Sequence, residues 1–314
     1  MIAAWVEAGK VSVRRLPEPK LKRGYARIRL TVAGICNTDL ELKAGYYGFR
    51  GVPGHEFTGV VEDCPSAPQW VGKRVVGEIN LACGKCDYCA RGLGRHCPAR
   101  TVLGIVKHPG AFAEQITLPV ANLLVIPATL SDDEAVFTEP VAAACEILEQ
   151  LPIQTETDVL GDGKLGLLIG QVLLAHGIKV HHFGRHKGKL AIVKKRGAVI
   201  GNRIPRAKFD VVVDATGSSD GLATAIAMCR PRGTVVMKST VHDKLAIDMA
   251  SVIVPEITLL GSRCGRFQPA LDLLANRKID VLSMLHGEFP LHRAPQAFES
   301  AAGRGVLKIL VRNQ

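Results

Sequence analysis

Four cysteines, Cys83, Cys86, Cys89 and Cys97, fall within fifteen residues, in the run Cys-Gly-Lys-Cys-Asp-Tyr-Cys-Ala-Arg-Gly-Leu-Gly-Arg-His-Cys. Thiolates at these spacings on a glycine-containing loop can close a tetrahedron around Zn²⁺ and leave no position for another ligand. Disulfides are the competing use, but thiols three residues apart are poorly placed for unstrained bridges. The run therefore predicts a structural zinc. A more dispersed set has the chemistry for a metal with an open position. Cys36, in Gly-Ile-Cys-Asn-Thr-Asp, and His55, in Gly-His-Glu, come from separate loops, and Glu139, in Glu-Pro, is a candidate carboxylate. Three protein ligands leave a fourth position for water or a substrate oxygen, as a reacting zinc requires.

A third constellation, Gly161-Asp162-Gly163-Lys164-Leu165-Gly166, reads Gly-x-Gly-x-x-Gly between the apolar Val159-Leu160 and a helical stretch. Such glycines allow a tight turn and let the backbone approach a pyrophosphate at the positive end of the following helix. Alone the pattern is weak; the strand before it, the helix after it and a second strand at 180–183 give it weight. The end of that second strand normally carries an acid for the adenosine ribose 2′-hydroxyl of NAD. Here Gly184 is followed by Arg185, His186, Lys187 and Lys189, cations suited to a 2′-phosphate, so NADP(H) is expected over NAD(H). Lys164, Leu165 and Thr216 complete the expected cofactor contacts.

The elements that must hold these groups divide the chain. Up to about residue 130 the sequence is β-rich and broken by glycine and proline, with alternation over 25–33 and a strand-like stretch at 71–79, which predicts an antiparallel, barrel-like domain. Ser131-Asp132-Asp133-Glu134 resembles a helix start, and a crossover helix is expected over 140–148. From 155 to 265 short apolar strands (180–183, 210–214, 234–237) alternate with helical stretches (165–176, 187–195, 222–229), the pattern of a doubly wound parallel sheet. A helix over 269–276 and a last strand over 306–311, rejoining the first domain, complete the reading.

Composition narrows the partners. With 314 residues, 47% hydrophobic and 22% charged, the chain can bury two cores. Its opening segment lacks the marks of a signal peptide and no apolar run approaches ~18 residues, so a cytoplasmic protein with no membrane partner is expected. The remaining cysteines Cys64, Cys145, Cys229 and Cys264 read as packing residues. A net charge of +11 raises nucleic acid as a partner, but the cations are scattered and only 5% of residues are aromatic, which argues against it.

In their order along the chain, Gly-x-Cys-x-Thr-Asp, Gly-His-Glu, the cysteine lobe, Glu-Pro and the glycine turn resemble the zinc-dependent alcohol dehydrogenases of the medium-chain dehydrogenase/reductase family. The resemblance covers essentially the whole length and is nearest the polyol, sugar and threonine dehydrogenase branch, because Glu139 stands where another branch uses cysteine. It implies an α/β fold: a GroES-like β-barrel catalytic domain at 1–140 carrying the zinc lobe 83–97, a Rossmann domain at 141–265, and a segment 266–314 returning to the catalytic domain. It also implies two zinc ions per chain and reversible alcohol oxidation with hydride passing to the nicotinamide. Cys36, His55 and Glu139 would hold the catalytic zinc, with Glu56 as an alternative ligand or supporting carboxylate. Asp39 would orient a ligand histidine, Thr38 would begin the proton relay, and Lys308 would lie near the pyrophosphate. A small alcohol or carbonyl substrate and a homodimer or homotetramer follow from the same resemblance.

Three departures stand out. Glu41 replaces a relay histidine, Asn37 stands where some members place a cofactor-binding arginine, and 155–160 (Thr-Glu-Thr-Asp-Val-Leu) is too polar for a buried central strand. Tyr46, Tyr47, Phe49, Glu78 and Asn80 are possible pocket residues. Two rivals share the fold: a zinc-free enone or quinone reductase, which would lack both metal constellations, and a non-catalytic zinc- and nucleotide-binding regulator.

Overall fold

The computed structural model describes residues 1–153, 156–239 and 246–313. Two compact units emerge: Met1–Glu139 together with Met284–Gln314, and Pro140–Ser283. The boundary falls inside helix Thr138–Gln150. No helix among the described residues is long and apolar enough to cross a membrane.

The first unit is built on a sheet in the order Leu123–Val125, Arg74–Gly77, Glu56–Asp63, Tyr25–Gly34, Lys308–Arg312, Leu285–Pro290, with Gln115–Pro119 also pairing Tyr25–Gly34. Its long strand Tyr25–Gly34 buries Ala26, Ile28, Leu30 and Val32, the period of two that places every second side chain in the core. A register shift between Leu30 and Val32 re-aims the end of this strand, so that Ala33 and Gly34 are also buried and Cys36 emerges just beyond. Ser131 caps helix Asp132–Ala135 in a full capping box with Glu134.

The second unit carries six parallel strands in the order Val199–Gly201, Lys179–Phe183, Glu156–Leu160, Phe209–Asp214, Cys229–Met237, Thr258–Gly261. In chain order this is 3-2-1-4-5-6, the doubly wound dinucleotide-binding arrangement. Glu156–Leu160 is its central strand, contrary to the reading that it is too polar for that place; Thr155 lies outside the described residues. Pairing on both sides, with Lys179–Phe183 and Phe209–Asp214, overrides side-chain preference. The cost is visible: Thr157 and Asp158 are fully buried, and neither the Thr157 hydroxyl nor either Asp158 carboxylate oxygen has a hydrogen-bond partner among the described residues.

Two differences concern the tail. Helix Phe267–Ala275 belongs to the second unit, so the chain returns to the first unit only at Met284. There it forms strand Leu285–Pro290 and helix Ala294–Ala301 before the last strand. The strand has no alternation to betray it: its His286, Gly287 and Glu288 are all exposed.

Candidate active site

The cysteine lobe forms a closed cage. Cys86 precedes the short helix Asp87–Ala90, and Gly84 and Gly92, both at φ +74°, reverse the chain on either side of it. The sulfur of Cys86 lies 3.5 Å from that of Cys89 and 3.7 Å from that of Cys97, and Cys83 lies 3.9 Å from Cys89. Four sulfurs at Zn–S distances of about 2.3 Å stand about 3.8 Å apart on a tetrahedron, so the cage has the size that zinc needs. All nine cysteines are free thiols. The Lys85 backbone N–H, with neighbouring thiols, brings Cys83 down to about 6. The Cys89 N–H favours the Cys86 thiolate, but desolvation and adjacent sulfurs outweigh it and push Cys86 up to about 11. Adjacent sulfurs oppose a second thiolate here, and a divalent cation would relieve that repulsion.

A second cluster gathers Cys36, His55 and Glu56, whose ligand atoms all lie within 4.8 Å of one another. Cys36 is the residue before helix Asn37–Lys43, and its backbone N–H donates to Asp39 Oδ2 at 2.8 Å. The other oxygen of Asp39 accepts the Gly54 N–H at 3.1 Å and lies 3.5 Å from His55 Nδ1. One buried carboxylate thus ties the Cys36 and Gly54 backbones together and faces the His55 imidazole. Burial disfavours the imidazolium, but Asp39 and Cys36 raise His55 well above its ordinary range. Gly34 and Gly54 make room. A side chain at Gly34 would strike the Glu56 carboxylate, and Gly54, at φ +102°, leaves only 2.8 Å from its Cβ position to the Phe112 ring.

Glu56 is 1% exposed. Its Oε2 accepts from the Lys308 ammonium, while Oε1 is fully buried with no hydrogen-bond partner among the described residues. An orphaned carboxylate oxygen beside a thiol and an imidazole fits a cation, and the donor set of sulfur, nitrogen and oxygen fits zinc. Glu139, half-buried in the first turn of helix Thr138–Gln150, is outside this close group, although its charge acts on Lys308. Thr38 Oγ1 lies 3.8 Å from Cys36 Sγ, with its side chain half-buried.

Lys308 was expected at the pyrophosphate; the structure gives it a different partner. It is 1% exposed, paired with Glu56 and 5.3 Å from the Phe137 ring centroid. Burial works to lower its pKa, but Glu56, Cys36 and Glu139 hold it above the usual range. Among the possible pocket residues, the Tyr46 and Tyr47 rings meet at a 42° tilt with centroids 4.1 Å apart, and Asn80 is buried in strand Asn80–Leu81.

The glycine turn of the second unit has the shape its sequence implies. Gly161 takes φ +122°, and a Cβ there would come 2.5 Å from the Ala215 carbonyl; one on Gly166 would strike the Gly161 carbonyl. Gly163 caps helix Lys164–Ala175, with nothing within 4 Å of its Cβ position. Two bonds from the second strand hold the turn: the Gly161 N–H donates to the Phe183 carbonyl at 2.8 Å, and His182 Nε2 lies 2.8 Å from the Gly161 carbonyl. Burial pushes His182 down to about 4 despite that carbonyl, so the neutral ring donates. Thr216 is tied to Asp214 by its backbone N–H and its hydroxyl. Gly184 and Lys189 are partly buried, and Arg185 is exposed. The sequence reading missed Asp162, whose carboxylate reaches across to His186.

Comparison with known proteins agrees with both halves. Residues 22–128 match the alcohol dehydrogenase GroES-like domain, and residues 165–276 match the zinc-binding dehydrogenase domain. A sorbitol dehydrogenase of Halalkalibacterium halodurans is 25% identical over 96% of each chain, and an L-threonine 3-dehydrogenase of Streptomyces coelicolor is 29% identical over 94% of each. Among solved structures, the alcohol dehydrogenase TADH from Thermus sp. ATN1 superposes with a TM-score of 0.88 at 28% identity, covering 100% of both chains. A protein described as a zinc-binding dehydrogenase of Sinorhizobium meliloti 1021, bound to NADP, gives 0.89 at 27% identity over 99% of this chain and 98% of its own. With its GroES-like and Rossmann halves, the chain is an alcohol-type oxidoreductase and belongs to the zinc-type medium-chain dehydrogenase/reductase family.

Proposed function

We propose that the chain is a zinc-dependent, NADP-preferring dehydrogenase that interconverts a polyol, sugar or secondary alcohol and its carbonyl. The observation that carries this reading is the cluster of half-buried Cys36 with buried His55 and Glu56, whose Glu56 Oε1 has no hydrogen-bond partner among the described residues. When bound, zinc supplies Lewis acidity toward the substrate oxygen and the nicotinamide exchanges the hydride. Cys36 and His55 hold the metal with a carboxylate from Glu139 or Glu56, and Asp39 fixes the two ligand loops. The Thr38 hydroxyl accepts the substrate proton as it passes on its own, and with Glu41 in place of a histidine the relayed proton goes to solvent. Cys83, Cys86, Cys89 and Cys97 hold a second, structural zinc. Gly161, Gly163 and Gly166 with Lys164 and Leu165 cradle the pyrophosphate, Thr216 completes the cofactor contacts, and Arg185 with Lys189 favours the 2′-phosphate.

The polyol or sugar class rests on Glu139 and on the relatives named sorbitol dehydrogenase and D-xylulose reductase. Assembly as a homodimer or homotetramer rests on the resemblance, and light scattering reads it directly. Metal analysis should find two zinc ions per chain. A panel of polyols, sugars and secondary alcohols, read by NADPH absorbance, should yield turnover that Cys36→Ser abolishes. Equal turnover by Cys36→Ser would sink the mechanism in favour of a zinc-free reductase. No turnover on the whole panel, with a single zinc released only on unfolding, would favour a binding protein of the same fold.

A further inference from the structure

The nucleotide turn holds a carboxylate that its glycine pattern does not require. Asp162 stands between the first two glycines and is largely buried. A Cβ built on Gly184 would come 2.6 Å from the Asp162 Cβ and 2.7 Å from its Oδ2. The room that an acid at position 184 would enter is therefore filled by an acid arriving from the neighbouring turn. Its Oδ2 accepts the His186 backbone N–H at 2.6 Å, and His186 Nδ1 lies 3.2 Å from both carboxylate oxygens. Burial works to raise the Asp162 carboxyl, but the His186 N–H and ring hold it below its ordinary value. It is thus an anion at neutral pH, beside the backbone of the exposed Arg185.

In dinucleotide folds of this strand order, the end of the second strand is where the adenosine ribose is read. A carboxylate there accepts hydrogen bonds from the ribose hydroxyls; a 2′-phosphate meets it as a like charge. We propose that Asp162 reads the adenosine ribose in place of the absent acid at 184, favouring a 2′-hydroxyl, opposing a 2′-phosphate and limiting how far Arg185 turns the chain toward NADP(H). The inference rests on the nucleotide-site reading above, but not on which cofactor wild type prefers. It explains why glycine stands at 184: a side chain there would displace Asp162.

The test uses the full chain and the variant Asp162→Asn, which removes the charge and keeps an oxygen to accept the His186 N–H. Calorimetric binding of 5′-AMP and of adenosine 2′,5′-bisphosphate reads the subsite without turnover. Removing a like charge at hydrogen-bonding range should move the affinity ratio toward the bisphosphate by about tenfold or more. The ratio of kcat/KM for NADPH over NADH should move the same way, and Arg185→Ala should move both ratios oppositely. Asp162→Ser, with melting temperature as a control, guards against a collapsed turn. Equal weakening of both ligands in both variants would assign Asp162 to holding the turn alone and would overturn the proposal, as would an unchanged ratio. A wild type that binds 5′-AMP better than the bisphosphate would remove the NADP preference, whereas the Asp162 shift is read relative to whatever wild type shows.

Discussion

Two fully buried acids, Asp39 in the first unit and Asp158 in the second, are treated in opposite ways. In the first, Asp39 is fully buried and accepts N–H groups from Cys36 and Gly54, while Glu56 and Lys308 neutralise each other. In the second, Asp158 is fully buried and neither oxygen finds a hydrogen-bond partner among the described residues. Burial pushes its carboxyl up to about 8, opposed only by the nearby Val159 N–H, which falls short of hydrogen-bonding geometry, so it is mostly protonated at neutral pH. The second unit is able to satisfy buried charge elsewhere: the Lys238 ammonium donates to the Ala143 and Arg263 carbonyls and to Ser262. Partners make the first set a rigid scaffold for ligand loops. Their absence makes Asp158 a standing cost within the central strand of the nucleotide sheet.

The comparison breaks first at Lys308. Lys308→Met leaves Glu56 charged and unpaired in the core, and should lower unfolding stability by about 3–5 kcal/mol in a denaturant melt. A loss under half that size would mean that Glu56 has another counter-charge. Asp158→Val should do the reverse and stabilise the chain by about 2–4 kcal/mol at pH 8, since a β-branched apolar residue suits a central parallel strand. The pH dependence follows from the raised pKa. Between 3.8 and about 8 the unfolded chain has released this proton and the folded chain retains it, so wild-type stability falls as pH rises through that window. Below it the penalty vanishes, and above it the penalty is complete. Melting temperatures from pH 4 to 8 should show this slope in wild type and a smaller one in Asp158→Val; parallel curves would remove Asp158 as its source.

Asp39→Asn, which can satisfy only one of the two N–H donors with its single carbonyl oxygen, should cost about 1–3 kcal/mol. It should also weaken zinc at the Cys36 cluster by about 10–100-fold. Zinc in the cysteine lobe should be unaffected, which stepwise chelation with metal analysis would show. The smallest contrast lies in two buried threonines. The Thr58 hydroxyl pairs with Thr31 at 2.8 Å, whereas the Thr157 hydroxyl has no partner among the described residues. Thr58→Val should cost about 1 kcal/mol and Thr157→Val about nothing or a small gain. Equal effects would show that hydroxyl pairing does not separate the units.

Much of this architecture was legible because periodicity is local. Helix Lys187–Lys195 was readable to the residue, and the glycine turn announced the helix that follows it. The central strand misled, because its polarity is local and its burial is not: two flanking strands place Asp158 beside His181 and Val212. In the site, neighbouring residues such as Cys36 and Asp39 could be read together, since a helix start joins them. Pairings across sequence could not. Nothing in Gly-His-Glu points to Lys308, and nothing in Gly-Asp-Gly shows that Asp162 fills the space beside Gly184; both depend on strand order and register.

That distance has a consequence for how the molecule is made. Lys308 is joined to the peptide 252 residues after Glu56, once all of Pro140–Ser283 has been synthesised. At ~5–20 residues per second the ribosome leaves roughly 13–50 seconds during which the ammonium that neutralises Glu56 does not yet exist. The nucleotide-binding unit, an uninterrupted stretch, can close in that interval, whereas the metal-binding unit, first to begin, is the last to be completed.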